Sequence, residues 1–123
     1  MYLLDSNILI YSSKTEYSFL RNYITSTTAI SAVSVATVIE VLGYHKLSFE
    51  DKTYFESCIA LLQVFEVSQS ISDKAVELRQ NQKMSLGDAI IAATAIVHDC
   101  ELVTRNVGDF AGITALKLLN PFP

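Results

Sequence analysis

Several features that define large protein classes are missing from this sequence. It has two cysteines, Cys58 and Cys100, far apart and outside any CxxC or Cys/His spacing. Neither a disulfide framework nor a zinc site is expected, and both read as buried thiols. No apolar run reaches the ~18 residues that a membrane-spanning helix needs; Ala89 to Val97 comes nearest, at half that length. The opening stretch MYLLDSNILIYSS has no basic residue ahead of its apolar run and carries Asp5 inside it, unlike a secretory signal. Repeats, low-complexity tracts and linkers are absent. So is any basic run, and the net charge of −4 disfavours tight non-specific attachment to nucleic acid. The expectation is a cytoplasmic protein without membrane association.

What is present is a core. The 123 residues are 50% hydrophobic and 18% charged, which excludes disorder and suits one compact domain over residues 1–123. So small a domain cannot hide that much apolar surface, so part of it is expected to meet a partner.

The elements follow from periodicity and caps. Met1 to Leu4 is a short apolar segment ending at an acid, and Asp5-Ser-Asn leads into a helix that continues through Ile8 to Tyr11. Ala29 to Val33 reads as a strand, and Ser34 caps a helix carrying Val35, Val38, Ile39 and Leu42 at helical spacing to Gly43. A helix from Ser48 to about Leu62, a strand at Val64–Val67 and a helix from Ser70 to about Lys83 follow, the last turning Ile71, Ala75 and Leu78 inward. Ser85-Leu-Gly-Asp88 has capping-box spacing and opens the most apolar helix, to about His98. Leu102–Thr104 reads as a strand, Arg105 to Gly112 as a loop, and Leu116–Leu119 as a last strand. Short apolar strands alternating with helices predict a three-layer α/β/α sandwich around a mostly parallel sheet.

The informative feature is where the acids stand. Asp5 is the only charged residue between Met1 and Ser13, Glu40 between Asn22 and His45, and Asp88 between Met84 and His98. An ionised carboxylate in such surroundings costs several kcal/mol unless something pairs with it. Asp5 or Asp88 alone would pass as a helix cap. Three isolated acids with no Lys or Arg in their own segments are better explained by a shared divalent cation, and oxygen donors suit Mg²⁺ or Mn²⁺. Ligands of open parallel sheets gather at the carboxyl ends of the strands. Asp5 ends the first strand there, and the segment Thr104 to Asp109 offers Asn106 and Asp109 at the same edge, while Glu40 and Asp88 approach from flanking helices.

Four segments together, Leu3-Leu-Asp-Ser-Asn-Ile8, Ser34 to Glu40 ending in Val-Ile-Glu, Ser85-Leu-Gly-Asp-Ala-Ile-Ile-Ala-Ala93 and Leu102-Val-Thr-Arg-Asn-Val-Gly-Asp-Phe110, resemble the PIN-domain family. The match is nearest to the VapC-like toxins of prokaryotic toxin–antitoxin pairs, and order and spacing agree along essentially the whole chain. The resemblance implies a parallel sheet flanked by helices, a homodimer, an antitoxin protein as partner, and Mg²⁺- or Mn²⁺-dependent endonucleolytic hydrolysis of RNA (tRNA or mRNA). Carried over residue by residue, the family's acids match Asp5, Glu40 and Asp88, and its fourth position, Asp in many members, matches Asn106. A further acid matches Asp109, which makes the expected metal ligands Asp5, Glu40, Asp88 and Asp109. Ser6, Asn7 and Thr104 match residues that hold the acids or the phosphate. Asn106 is the departure and removes one negative charge.

Lys14, Arg21, Lys46, Lys83 and Arg105 supply a modest basic rim, while His45 and His98 read as structural. Two rival readings are a non-catalytic PIN-like module that binds protein or RNA, and an aspartyl phosphotransferase. The latter ordinarily wants a second Asp two residues after the first, where Asn7 stands.

Overall fold

The computed structural model describes residues 1–123. Five strands, β1 (Tyr2–Leu4), β2 (Ser31–Ser34), β3 (Gln63–Phe65), β4 (Glu101–Val103) and β5 (Lys117–Leu119), form one sheet in the order β3-β2-β1-β4-β5. Every pairing is parallel. The helices are α1 (Ser6–Ser12), α2 (Ser18–Thr27), α3 (Val35–Leu42), α4 (Phe49–Ala60), α5 (Gln69–Asn81), α6 (Leu86–Val97) and the one-turn α7 (Val107–Phe110).

The expected sandwich is what forms. Successive strand side chains point to opposite faces, so Leu3, Ala32 and Leu102 enter one core with Ile71, Ala75 and Leu78 of α5 and the alanine-rich α6. Their neighbours Leu4, Val33 and Val103 enter a second core with Ile8, Leu9, Leu20, Ile24, Val41 and Phe55. Buried on both faces, the strands are short continuous apolar runs rather than alternating ones. Both cysteines are buried free thiols.

Three details differ from the sequence expectation. Helix α2 is not announced by the pattern, because only Leu20 and Ile24 are buried along it, which is one contact pair per turn rather than a broad apolar stripe. Residues Thr28–Ile30 form a 3-10 turn, so β2 begins at Ser31 instead of Ala29, and β3 lies two residues earlier at its end than the expected Val64–Val67. The expected loop Arg105–Gly112 contains α7.

Caps set the element ends that matter for function. Ser34, Ser48, Ser68 and Ser85 each accept a backbone N–H in the first turn of the following helix. Helix α6 ends with Asp99 in the left-handed region (φ 52°), where Cys100 N donates to Ala95 O and Asp99 N to Ile96 O. This double closure reverses the chain directly into β4.

Candidate active site

The strand order reverses at β1: β2 and β3 lie on one side of it, β4 and β5 on the other. The chain leaves β1 and β4 toward opposite sides, which opens a crevice at their carboxyl ends. Asp5 follows β1 and Thr104 follows β4, so the topology itself places them side by side. Asp5 N donates to Val103 O at 2.9 Å and fixes the register of the pair.

Asp5 is 5% exposed and caps α1. Its Oδ1 accepts from Ser6 N at 2.8 Å, and its Oδ2 accepts from Thr104 Oγ1 at 2.8 Å and Asn7 Nδ2 at 3.1 Å. Thr104 Oγ1 in turn accepts from Asn106 N at 3.0 Å and lies 3.3 Å from Asn7 Nδ2, while Asn7 Oδ1 accepts from Arg105 N at 3.3 Å. The Asp-Ser-Asn triplet and the segment Thr104 to Asn106 are therefore one network. Burial nevertheless dominates: it pushes the Asp5 carboxyl up to about 6, against the lowering by the Thr104 and Ser6 hydrogen bonds, and the charges of Asp88 and Glu40 push the same way.

Glu40 reaches the crevice from α3. Its Oε1 accepts from Ser6 Oγ at 2.7 Å, and Ser6 Oγ also lies 3.2 Å from Thr37 Oγ1, one turn earlier on α3. With one proton to give, Ser6 serves the carboxylate and shares the second contact with the Thr37 hydroxyl. On the other side Gly87 packs against Glu40: a Cβ at residue 87 would stand 3.0 Å from Glu40 Oε2. The missing side chain lets the first turn of α6 approach α3.

Asp88 belongs to that first turn. Ser85 Oγ accepts from Asp88 N at 3.1 Å, so Ser85 is the cap, and the Asp88 side chain is half-buried beside it. Burial raises its carboxyl above the ordinary 3.8, and Asp109 and Glu40 add repulsion. Asp109, on α7, and Asp88 line an open hollow of about 640 Å³ with Lys83, Ser85 and Gly108. Asn106 is exposed, and its side chain makes no cap contact with α7.

The structure thus brings together Asp5, Ser6, Asn7, Glu40, Asp88, Thr104, Asn106 and Asp109 at one end of the sheet. The only two salt bridges, Lys74–Glu77 and Lys117–Asp99, involve none of the four acids. As placed, no three His, Cys, Asp or Glu side chains converge closely enough to grip one ion directly. What recommends the site for a cation is its charge: hard oxygen donors, mutually repelling and without a salt bridge to any Lys or Arg.

Thr37 and Gly87 were not evident as site residues from sequence, although a hydroxyl three residues before Glu40 on an otherwise apolar helix is a usable signal. Of the basic rim, Lys83 lines the Asp88 hollow, and Lys14 and Lys46 line a second hollow of about 320 Å³ beside Glu40. Arg21 does not serve the site. It donates to the Ser12 and Ser13 carbonyls and lies 4.3 Å over the Tyr54 ring. His98 stacks on Phe65 at 3.8 Å, a packing role, as expected.

Comparison with known proteins bears on the fold and the family. The model of the PIN domain family matches residues 2–114. A toxin–antitoxin complex from Klebsiella pneumoniae contains a chain 33% identical to this one, covering 99% of this chain and 98% of its own, with a TM-score of 0.80. A DNA-bound VapBC from Salmonella typhimurium (20% identity, 96% of each chain, TM-score 0.83) and FitAcB from Neisseria gonorrhoeae (21%, 98% of each, 0.81) share the fold. A search of curated proteins by sequence returned no match. The chain belongs to the PIN-domain family.

Proposed function

We propose that this protein is a Mg²⁺- or Mn²⁺-dependent endoribonuclease, the toxin of a toxin–antitoxin pair, acting on phosphodiester bonds of tRNA or mRNA. The observation that carries this reading is the gathering of four acids, unpaired by any Lys or Arg, at the crevice between β1 and β4. Asp5, Glu40, Asp88 and Asp109 would hold the ion, with Asn106 in the position where many relatives carry a fourth Asp. Mg²⁺ keeps several waters and takes one or two carboxylates directly, so acids spread over a crevice suit it. When bound, such an ion lowers the pKa of a water and offsets charge on the scissile phosphate.

The chain's own residues do the rest. Thr104, Asn7 and the Ser6 amide hold Asp5 in one orientation. Ser6 and Thr37 hold Glu40. Asp88, at the edge of the open hollow, would orient an attacking water or accept its proton. Asn106 and Asp109 border the space where RNA would enter.

Support for protein partners is the uncovered apolar surface. Val67, Val76 and Leu86, respectively 42%, 55% and 60% exposed, border a hollow of about 380 Å³ between α5 and α6. A homodimer and an antitoxin would cover such surface. The solved relative from Klebsiella pneumoniae is a toxin–antitoxin complex.

The test is cleavage of a panel of tRNAs and structured RNAs with Mg²⁺, Mn²⁺ or chelator, beside Asp5→Asn and Asp88→Asn. Defined fragments that need metal and vanish in both variants are expected. Folded protein that cuts nothing in any condition leaves the non-catalytic binding module as the reading.

A further inference from the structure

One basic side chain at the crevice is held in an unusual way. The Arg105 guanidinium lies 4.9 Å from the Tyr11 ring centroid, 5.6 Å from Tyr17 and 4.3 Å from Phe122. The rings brace one another edge to face at 5.2 to 5.5 Å. Three separate parts of the chain, α1, the turn before α2 and the C-terminal tail, thus converge on one cation. No carboxylate forms a salt bridge with it. The Tyr17 and Tyr11 hydroxyls favour the charged guanidinium, and a group held against aromatic faces loses little freedom when it takes up an anion.

Its position is also set. Arg105 N donates to Asn7 Oδ1, the same residue that bonds Asp5. Tyr11 stands four residues after Asn7 on α1, so the cage lies about one helical turn, roughly 6 Å, along that helix from the Asp5 network. A polyanion entering a crevice lined by four acids needs a cation at its edge, and this one is carried on the very segment that supplies Thr104, Asn106 and Asp109.

We propose that caged Arg105 is a phosphate-binding subsite that grips the RNA backbone beside the scissile bond. This rests on the nuclease reading above. Arg105 acts on substrate binding, and the aromatic rings present it; Phe122 makes the C-terminal tail part of the subsite.

The test is equilibrium binding of a short fluorescently labelled single-stranded RNA in chelator, as a function of salt, followed by steady-state cleavage with Mn²⁺. Arg105→Gln keeps a planar group over the rings and removes the charge. It is expected to weaken binding about fivefold to tenfold and to shallow the log K against log salt slope by about one phosphate contact. KM rises in parallel while kcat stays within about twofold. Arg105→Lys keeps the salt slope and loses part of the affinity. Lys117→Gln, the same charge change at the opposite, amino end of the strands, leaves all of these unmoved. Wild-type affinity and slope in Arg105→Gln would overturn the proposal, as would a fall in kcat at constant KM. If the wild type binds RNA without cutting it, the nuclease reading falls and the binding comparison still decides the subsite. If it neither binds nor cuts, both fall.

Discussion

The two sides of the crevice are built differently. On the inner side, Asp5 is buried and both its oxygens are engaged by Ser6, Asn7 and Thr104. On the outer side, Asp88 and Asp109 face an open hollow, and Asn106 is exposed beside them. The inner side is part of the fold: its hydrogen bonds tie the end of β1 to the end of β4. The outer side is attached to the fold but not needed by it. Chemistry that must admit a long substrate needs one fixed reference point and one open approach, and the two sides divide that work.

That division predicts how substitutions separate activity from stability. The largest effect is expected from Asp88→Asn, which should lower RNA cleavage by about 10² to 10³, the range for removing a charge aimed at the reaction. Its melting temperature should hold or rise slightly, because the change relieves repulsion from Asp109 and Glu40. Cleavage rates and calorimetry on the same preparation check both halves of the statement.

Thr104→Val should act on the inner side in the opposite manner. It removes a buried donor from Asp5 and an acceptor from Asn106 N, at a cost of about 1–3 kcal/mol. Cleavage should fall by about tenfold to a hundredfold, as for a residue that orients a ligand. Denaturant unfolding should show the loss. Wild-type stability would mean that the network is not structural.

The pH dependence sharpens the contrast further. Asp5 has its carboxyl raised from 3.8 to about 6 in the folded chain. A raised acid contributes stability that is complete below about pH 4 and is lost as pH rises through about 6. In chelator, the unfolding free energy should therefore fall as pH rises over that window, by on the order of 1–3 kcal/mol, and the melting temperature with it. Asp5→Asn should flatten that slope, and a bound divalent cation should do the same by neutralising the carboxylate. The smallest effect is expected from Asn106→Asp. It adds an exposed acid on the outer side and should tighten Mn²⁺ binding a fewfold with little change in stability, as isothermal titration can determine.

The same contrast explains what could be read from the sequence. The inner side was legible, because an acid at the end of an apolar strand and a Thr at the end of another stand out against their neighbours. The layers, the parallel strands and the positions of α3 and α6 followed from continuous apolar runs and serine caps. Helix α2 was not legible, since Leu20 and Ile24 are its only buried residues. Neither was α7, a single turn too short to show a period. The role of Gly87 depends on how closely α6 approaches α3, and the Arg105 cage depends on Tyr11, Tyr17 and Phe122 arriving from distant parts of the chain. Such juxtapositions are products of the tertiary fold and leave no local pattern.

The most direct test of the central claim, that unpaired acids on both sides of the crevice gather to hold a divalent cation, is a Mn²⁺ titration followed by the paramagnetic signal of the free ion. Saturable uptake by the wild type is expected, weakened about tenfold or more in both Asp5→Asn and Asp88→Asn. Mn²⁺ that stays free in the presence of folded wild-type protein, or uptake equal in all three proteins, would contradict it.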